Sequence, residues 1–178
     1  TEAFLRLYQA LRAEGLAPVV VKGIVCRALY PQPELRPSSD EDLYLTAAEM
    51  PRFHAVLLRA GFVLTEPERD YRSAHEARYV HPDTGLVVEG HWALFPTEYA
   101  VYAALNVQLP DLMQRAQDWE SGGVTLRVPD ACDHLIFLLL HAFKHFISSG
   151  VGVRQLCDIA LWMRRFGAQI DCCLLYTS

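Results

Sequence analysis

Lysine is nearly missing from this sequence: of sixteen cationic side chains only Lys22 and Lys144 are lysines, a skew toward arginine of the kind that GC-rich coding produces. No C-x-x-C pair occurs among the five cysteines Cys26, Cys132, Cys157, Cys172 and Cys173, and their number is odd. That speaks against a disulfide framework and for reduced thiols in a cytoplasmic setting. Unbroken apolar runs such as Leu135 to Leu140 fall far short of the roughly 18 to 20 residues that a bilayer helix needs, so no membrane partner is expected. Excess positive charge is lacking as well. A net charge of −5 argues against DNA binding or any passive capture of nucleic acid by counterion release, while a nucleotide arriving with its own metal ions remains allowed. There is no G-X-Y period, no low-complexity tract and no internal repeat, which excludes a fibrous or disordered chain. What is present is 178 residues with 52% apolar side chains, enough to close the core of one ordinary domain.

Periodicity predicts the elements. Phe4, Leu5, Leu7, Tyr8 and Leu11 fall on one face of a helix spanning Glu2 to Glu14, with Gly15 as its stop. Val19-Val20-Val21 reads as a short strand ending at Lys22-Gly23, after which helical spacing resumes from Ile24 to Tyr30. Pro31, Pro33 and Pro37 make a loop that leads into a strand over Asp40 to Leu45. A helix follows over Ala47 to Ala60, then a strand at Phe62 to Leu64, and then a hairpin of Glu76 to His81 with Leu86 to Trp92 around Pro82-Asp83-Thr84-Gly85. After Pro96 the texture becomes mainly helical, with a small hairpin at Gly122-Gly123, a helix over Asp130 to Ile147 N-capped by Asp130, and a helix over Val153 to Phe166.

These elements predict an α+β fold: a small mixed or antiparallel sheet with flanking helices over residues 1–95, followed by a mainly helical segment over 96–172. Residues 173–178, Cys173-Leu174-Leu175-Tyr176-Thr177-Ser178, resemble the translation of a sequencing-library adapter, and the chain reads as a segment of a longer one. The tail is therefore set aside from the fold.

The sharpest chemical feature is Ser38-Ser39-Asp40-Glu41-Asp42. On a strand, Asp40 and Asp42 point to one face, about 6.6 Å apart along the backbone. Two such carboxylates repel unless a cation lies between them, and a hard divalent ion that keeps phosphate oxygens among its ligands meets that need. A solvated acidic loop would have the same composition. Glu89, alone in the apolar run Leu86-Val87-Val88-Glu89-Gly90-His91-Trp92, is a further carboxylate that needs a partner.

Taken together, Val-Val-Val-Lys-Gly (19–23), Leu-Tyr-Pro (29–31), Leu-Arg-Pro-Ser-Ser-Asp-Glu-Asp-Leu (35–43) and Val-Val-Glu-Gly-His-Trp (87–92) resemble the uncharacterised nucleotidyltransferase family of the polymerase-β-like superfamily. His141-Ala142-Phe143-Lys144-His145 and Arg154-Gln155-Leu156-Cys157-Asp158-Ile159 extend the resemblance. It implies a nucleotidyltransferase-type sheet, an NTP substrate and Mg²⁺ (or Mn²⁺) held by Asp40, Asp42 and Glu89. It implies transfer of a nucleoside monophosphate to an acceptor hydroxyl, with a protein or small molecule favoured over RNA by the acidic charge. By the same resemblance the glycine turn at Gly23 contacts the nucleotide. Ile24 stands where the superfamily usually has Ser or Gly, so Lys22 or Arg36 is the expected source of phosphate-binding charge. Glu41 and Gly90 read as variation, and His91 and Trp92 as packing residues.

Two other readings are compatible with the sequence. One is a non-catalytic nucleotide-binding or regulatory module that keeps the fold with a weakened turn. The other is a metal-dependent hydrolase built on His134, His141 and His145, which share a helix face, joined by Asp158 from the next helix.

Overall fold

The computed structural model describes residues 1–67 and 74–170; the expectation for Cys173–Ser178 lies outside the described residues. Its elements in chain order are α1 (Glu2–Ala13), β1 (Val19–Val20), α2 (Ile24–Arg27), β2 (Glu41–Tyr44), α3 (Met50–Arg59), β3 (Val63–Leu64), β4 (Glu76–Val80) and β5 (Val87–His91). Then come α4 (Ala100–Asn106), α5 (Leu112–Arg115), β6 (Gln117–Ser121), β7 (Val124–Val128), α6 (Ala131–Ser148) and α7 (Val153–Phe166). The seven strands form one mixed sheet in the order β3-β4-β5-β2-β1-β7-β6. The fold is α+β, as the periodicity implies.

Two parallel pairings organise the sheet: β2 lies beside β5, and β1 beside β7, while every other neighbour is antiparallel. The second of these departs from the sequence reading. The β6–β7 hairpin around Gly122-Gly123 joins the sheet through β1, so the sheet is completed by residues well beyond 95. A hairpin's own pattern is local, whereas its docking edge depends on a strand more than a hundred residues earlier.

Alternation along the central strands divides the sheet into two chemically different faces. In β2 and β5, Leu43 and Gly90 are partners on one face, and Ala77 on β4 continues it. There α3 packs: a Cβ on Gly90 would collide with the ring of Phe53, so the glycine lets the helix approach the strand closely. On the other face Asp42 is the partner of Glu89 and Tyr44 of His91, with Glu76 and Arg78 of β4 opposite His91 and Glu89. The strands thus place their polar residues together on the face that α6 covers.

Helices α6 and α7 pack against each other. Asp130 caps α6 by accepting the Asp133 N–H at 2.8 Å, and Trp162 of α7 packs against buried His134 with ring centroids 4.0 Å apart and the ring planes tilted by 44°, while donating to Ala131 O at 2.9 Å. The proline loop before β2 is fastened to α7: Arg154 donates to Pro37 O at 2.9 Å, and Tyr30 and Arg36 both donate to Asp158. That fastening positions the backbone carrying Asp40. No helix of the described residues is long and apolar enough to cross a membrane.

Candidate active site

A cavity of about 150 Å³ opens between the polar face of the sheet and α6, lined by Lys22, Asp40, Asp42, Glu76, Glu89 and His91 on the sheet side. Phe137, His141, Lys144 and His145 line it from α6, at helical spacing that puts all four on one face. Sequence neighbours contribute Asp40 and Asp42. The parallel register of β2 with β5 brings Glu89 to Asp42.

Asp42 is buried, and its two carboxylate oxygens face different partners. Oδ2 lies 3.1 Å from Lys22 Nζ, whereas Oδ1 lies 3.4 Å from His91 Nε2. Lys22 Nζ is also 3.6 Å from Asp40 Oδ1. Burial opposes ionisation of Asp42, but Lys22 and His91 outweigh it and hold the carboxyl well below the usual carboxylate range. The same exchange acts on the partners: burial disfavours their charged forms, and Asp42 more than compensates, raising Lys22 and His91 above their ordinary values.

Glu89 behaves in the opposite way. Burial, reinforced by the negative charge of Asp42, pushes it up to about 7. Its Oε2 lies 3.8 Å from His91 Nε2 and its Oε1 3.4 Å from Arg78 Nε. One ligand atom from each of Asp42, Glu89 and His91 can be chosen so that all lie within 4.8 Å of one another. Glu76 supports this group from β4: its Oε2 is 3.5 Å from His91 Nδ1 and 3.3 Å from His75 Nε2, and the His75 interaction draws Glu76 down to about 2. On the α6 side, burial and then the Lys22 charge hold His141 well below its ordinary value, and burial with Lys144 lowers His145.

Two residues expected to touch phosphate are engaged elsewhere. Arg36 is 2% exposed and bound to Asp158 through Nε and Nη2 at 2.8 and 2.7 Å; it is absent from the described cavity lining. A guanidinium without water must be matched by a buried carboxylate, and Asp158 is that match. Gly23 has φ of +66°, the conformation that favours glycine, but the space beside it is filled by Glu41. A Cβ at Gly23 would run into the Glu41 carboxylate, whose Oε2 accepts the Ile24 N–H at 2.7 Å and whose Oε1 pairs with Arg27. Glu41 is therefore a structural plug for the turn, not variation, and it takes the N–H that a phosphate cradle would offer.

The histidine constellation also separates. His141 and His145 face the cavity, their ring centroids 4.6 Å apart, whereas His134 is packed under Trp162 and Asp158 belongs to Arg36 and Tyr30. The four do not form one site. His91 was missed as a member of the carboxylate cluster, although its i, i+2 spacing from Glu89 on a strand puts the two on one face. Glu76 carried no local signal: its relevance comes only from being opposite His91. Cys26 is buried, its thiol pushed up to about 12 by burial, and is inert packing.

Residues 1–176 match the uncharacterised nucleotidyltransferase family. The chain belongs to that family. The antibiotic-resistance factor ANT(2″)-Ia, known from a solution structure, superposes with a TM-score of 0.64 at 14% identity, over 95% of this chain and 86% of that one. An antigenic nucleotidyltransferase-like protein from Paracoccidioides brasiliensis superposes with a TM-score of 0.54 at 15% identity, over 90% of this chain and 73% of its own. At such identities the likeness is one of fold. No curated protein matches the sequence. For this member of the family, the fold and the acidic and histidine cluster stand together at one cavity between sheet and helix.

Proposed function

We propose that the protein transfers a nucleoside monophosphate from a metal-bound NTP to an acceptor hydroxyl. The observation that carries this reading is the in-register pairing of Asp42 with Glu89 across parallel strands, which gathers Asp40, Asp42 and Glu89 at one cavity. The donor set fits a divalent cation: carboxylate oxygens on Asp40 and Asp42 are buried without a hydrogen bond, as are both ring nitrogens of His91. Mg²⁺ or Mn²⁺ held there supplies charge neutralisation at the α-phosphate and lowers the barrier to attack on it.

The chain's own residues account for the rest. Asp40 and Asp42 hold the cation side of the nucleotide, and Lys22, displaced from them, is the nearest ammonium for a phosphate oxygen. Lys144 and His145 face the same cavity from α6 and offer further donors to the triphosphate. The acceptor oxygen bonds to the α-phosphorus, the bond to the bridging oxygen breaks, pyrophosphate leaves, and the hydroxyl proton passes to a carboxylate of the cluster. Phe137 and Leu94 line the cavity as its apolar wall. The net charge of −5 favours a protein or small-molecule acceptor over RNA. ANT(2″)-Ia, an antibiotic-resistance factor of like fold, is an analogue for the small-molecule case.

Incubation with an α-labelled NTP and Mg²⁺ tests the proposal: label is expected on a hydroxyl acceptor, with pyrophosphate released. One observation favours a non-catalytic nucleotide-binding module instead, namely that Lys22 Nζ already neutralises Asp40 and Asp42. Nucleotide binding with no pyrophosphate released on any acceptor class would establish that second reading.

A further inference from the structure

Helices α6 and α7 each turn one side to the cavity and another to solvent. On α6, Phe143 lies about 200° round the helix from His141, and Phe146 lies about 200° from Lys144. His141 and Lys144 line the cavity. On α7, Leu156 and Met163 lie about 200° and 180° round the helix from Arg154, which reaches back to Pro37 O in the loop before β2. Phe143, Phe146, Leu156 and Met163 thus share the outer side of the helix pair. Leu139 and Ile147 complete the α6 stripe, which runs at i, i+4, i+7 and i+8 spacing. All six side chains are between 40% and 69% exposed.

We propose that this outer face of α6 and α7 pairs the chain with a second copy of itself, in a two-fold contact that leaves both cavities facing away from the interface. The proposal goes beyond the nucleotidyl-transfer reading and does not depend on it.

The area is of the right size. From their fractional exposure the six side chains offer roughly 600 Å² of largely apolar surface, about the upper limit for one patch on a lone monomer. That approaches the roughly 800 Å² that each partner brings to an interface of standard size, and the rim of the patch supplies the remainder. A helix with apolar residues on every side is ordinarily covered on every side; α6 buries His134, Leu135, Leu138 and Ala142 inward and still has a second apolar stripe outward.

Charge selects the occupant. Two copies of a chain with net charge −5 repel over most of their surface. Of its twenty-one acidic residues only Asp133 and Asp158 lie on α6 and α7, and both are buried, one bound to Arg115 and the other to Arg36. When two such outer faces meet, no carboxylate is brought against another. The α6 stripe from Leu139 to Ile147 carries no cation either, because Lys144 faces the cavity, so it offers nothing to a nucleic acid or an anionic membrane. A second copy presents the same uncharged stripe at the spacing of a helix–helix seam, and a two-fold axis lets the one patch serve both sides.

Sedimentation equilibrium of the full chain, from about 1 to 200 µM, tests the proposal. The mass is expected to climb from the 20.1 kDa of one chain toward twice that value and to stop there. Phe146→Glu is expected to raise the dimer dissociation constant by about thirty-fold or more. Leu58→Glu, at a leucine of α3 that is 47% exposed and outside this face, is expected to leave it unchanged. Far-UV circular dichroism shows whether Phe146→Glu is folded; if it is not, Met163→Glu on α7 supplies the same comparison. A mass fixed at 20.1 kDa throughout, growth past the dimer, or a dimer indifferent to the outer-face variants overturns the proposal. So does a monomer that binds vesicles of neutral phosphatidylcholine, which would give the face to a membrane.

Discussion

Arg36 and Asp158 lie 122 positions apart and form a buried two-pronged ion pair, Nε to Oδ1 at 2.8 Å and Nη2 to Oδ2 at 2.7 Å. Tyr30 donates to the same Oδ1 at 2.8 Å. The pair binds the loop before β2 to α7 and so holds the approach to Asp40 in place. Removing one partner leaves a buried charge unmatched, which costs about 3 to 5 kcal/mol. Asp158→Asn is therefore expected to lower the unfolding free energy measured by urea denaturation by an amount in that range. Nucleotide affinity of the folded variant should change little, because Arg36 does not belong to the described cavity lining; a large loss of affinity with unchanged stability would instead return Arg36 to the phosphates.

Asp42→Asn removes the charge shared by Lys22 and His91 while keeping the side chain's volume. Metal assistance contributes several kcal/mol to transition-state stabilisation, so transfer is expected to fall by roughly a thousand-fold or more, with circular dichroism showing a folded protein. Near-normal turnover at saturating Mg²⁺ would remove Asp42 from the reaction.

Glu89→Gln should separate function from stability. The folded Glu89 titrates at about 7 against an ordinary value of 4.5. A carboxyl raised in this way contributes stability that is fully present below pH 4.5 and lost as pH rises through 7. The metal-free protein at pH 8 is thus expected to gain on the order of 1 to 3 kcal/mol from the substitution, visible as a higher Tm, while transfer is lost. A lower Tm at pH 8 would show that Glu89 is held ionised by its neighbours.

His134 gives the acid side of the profile. Packed against Trp162 and buried, it is lowered from 6.5 to about 3. The unfolded chain takes up a proton below pH 6.5 that the folded chain refuses, so stability is lost as pH falls from there toward 3. The slope approaches about 1.4 kcal/mol per pH unit from this group. Denaturation midpoints measured between pH 7 and 4 should fall less steeply in His134→Gln than in the parent; parallel curves would mean that His134 does not control this limb.

The fold was legible where one short stretch contains its own reason. Apolar spacing located α1, α3, α6 and α7, the turn at Pro82-Asp83-Thr84-Gly85 located the β4–β5 hairpin, and Asp130 marked the start of α6. Asp40 and Asp42 stood out for the same local reason: two carboxylates at strand spacing advertise a cation. Glu89 was legible as a cost, a charge in an apolar strand that demanded a partner.

Sequence by itself determined the α+β class, the order of elements and the acidic pair, because helix and strand periods and like-charge repulsion act between near neighbours. Tertiary structure alone decided which partners those residues found. The pairing of β2 with β5 puts His91 and Glu76 around Asp42 and Glu89, and the placement of β7 beside β1 completes the sheet after residue 95. Arg36 was assigned to Asp158, and Glu41 to the Gly23 turn, by contacts across the chain. A charge written in the sequence states only that a counter-charge is required. Which counter-charge reaches it without water between them is settled by strand register and helix packing, whose determinants lie far apart along the chain.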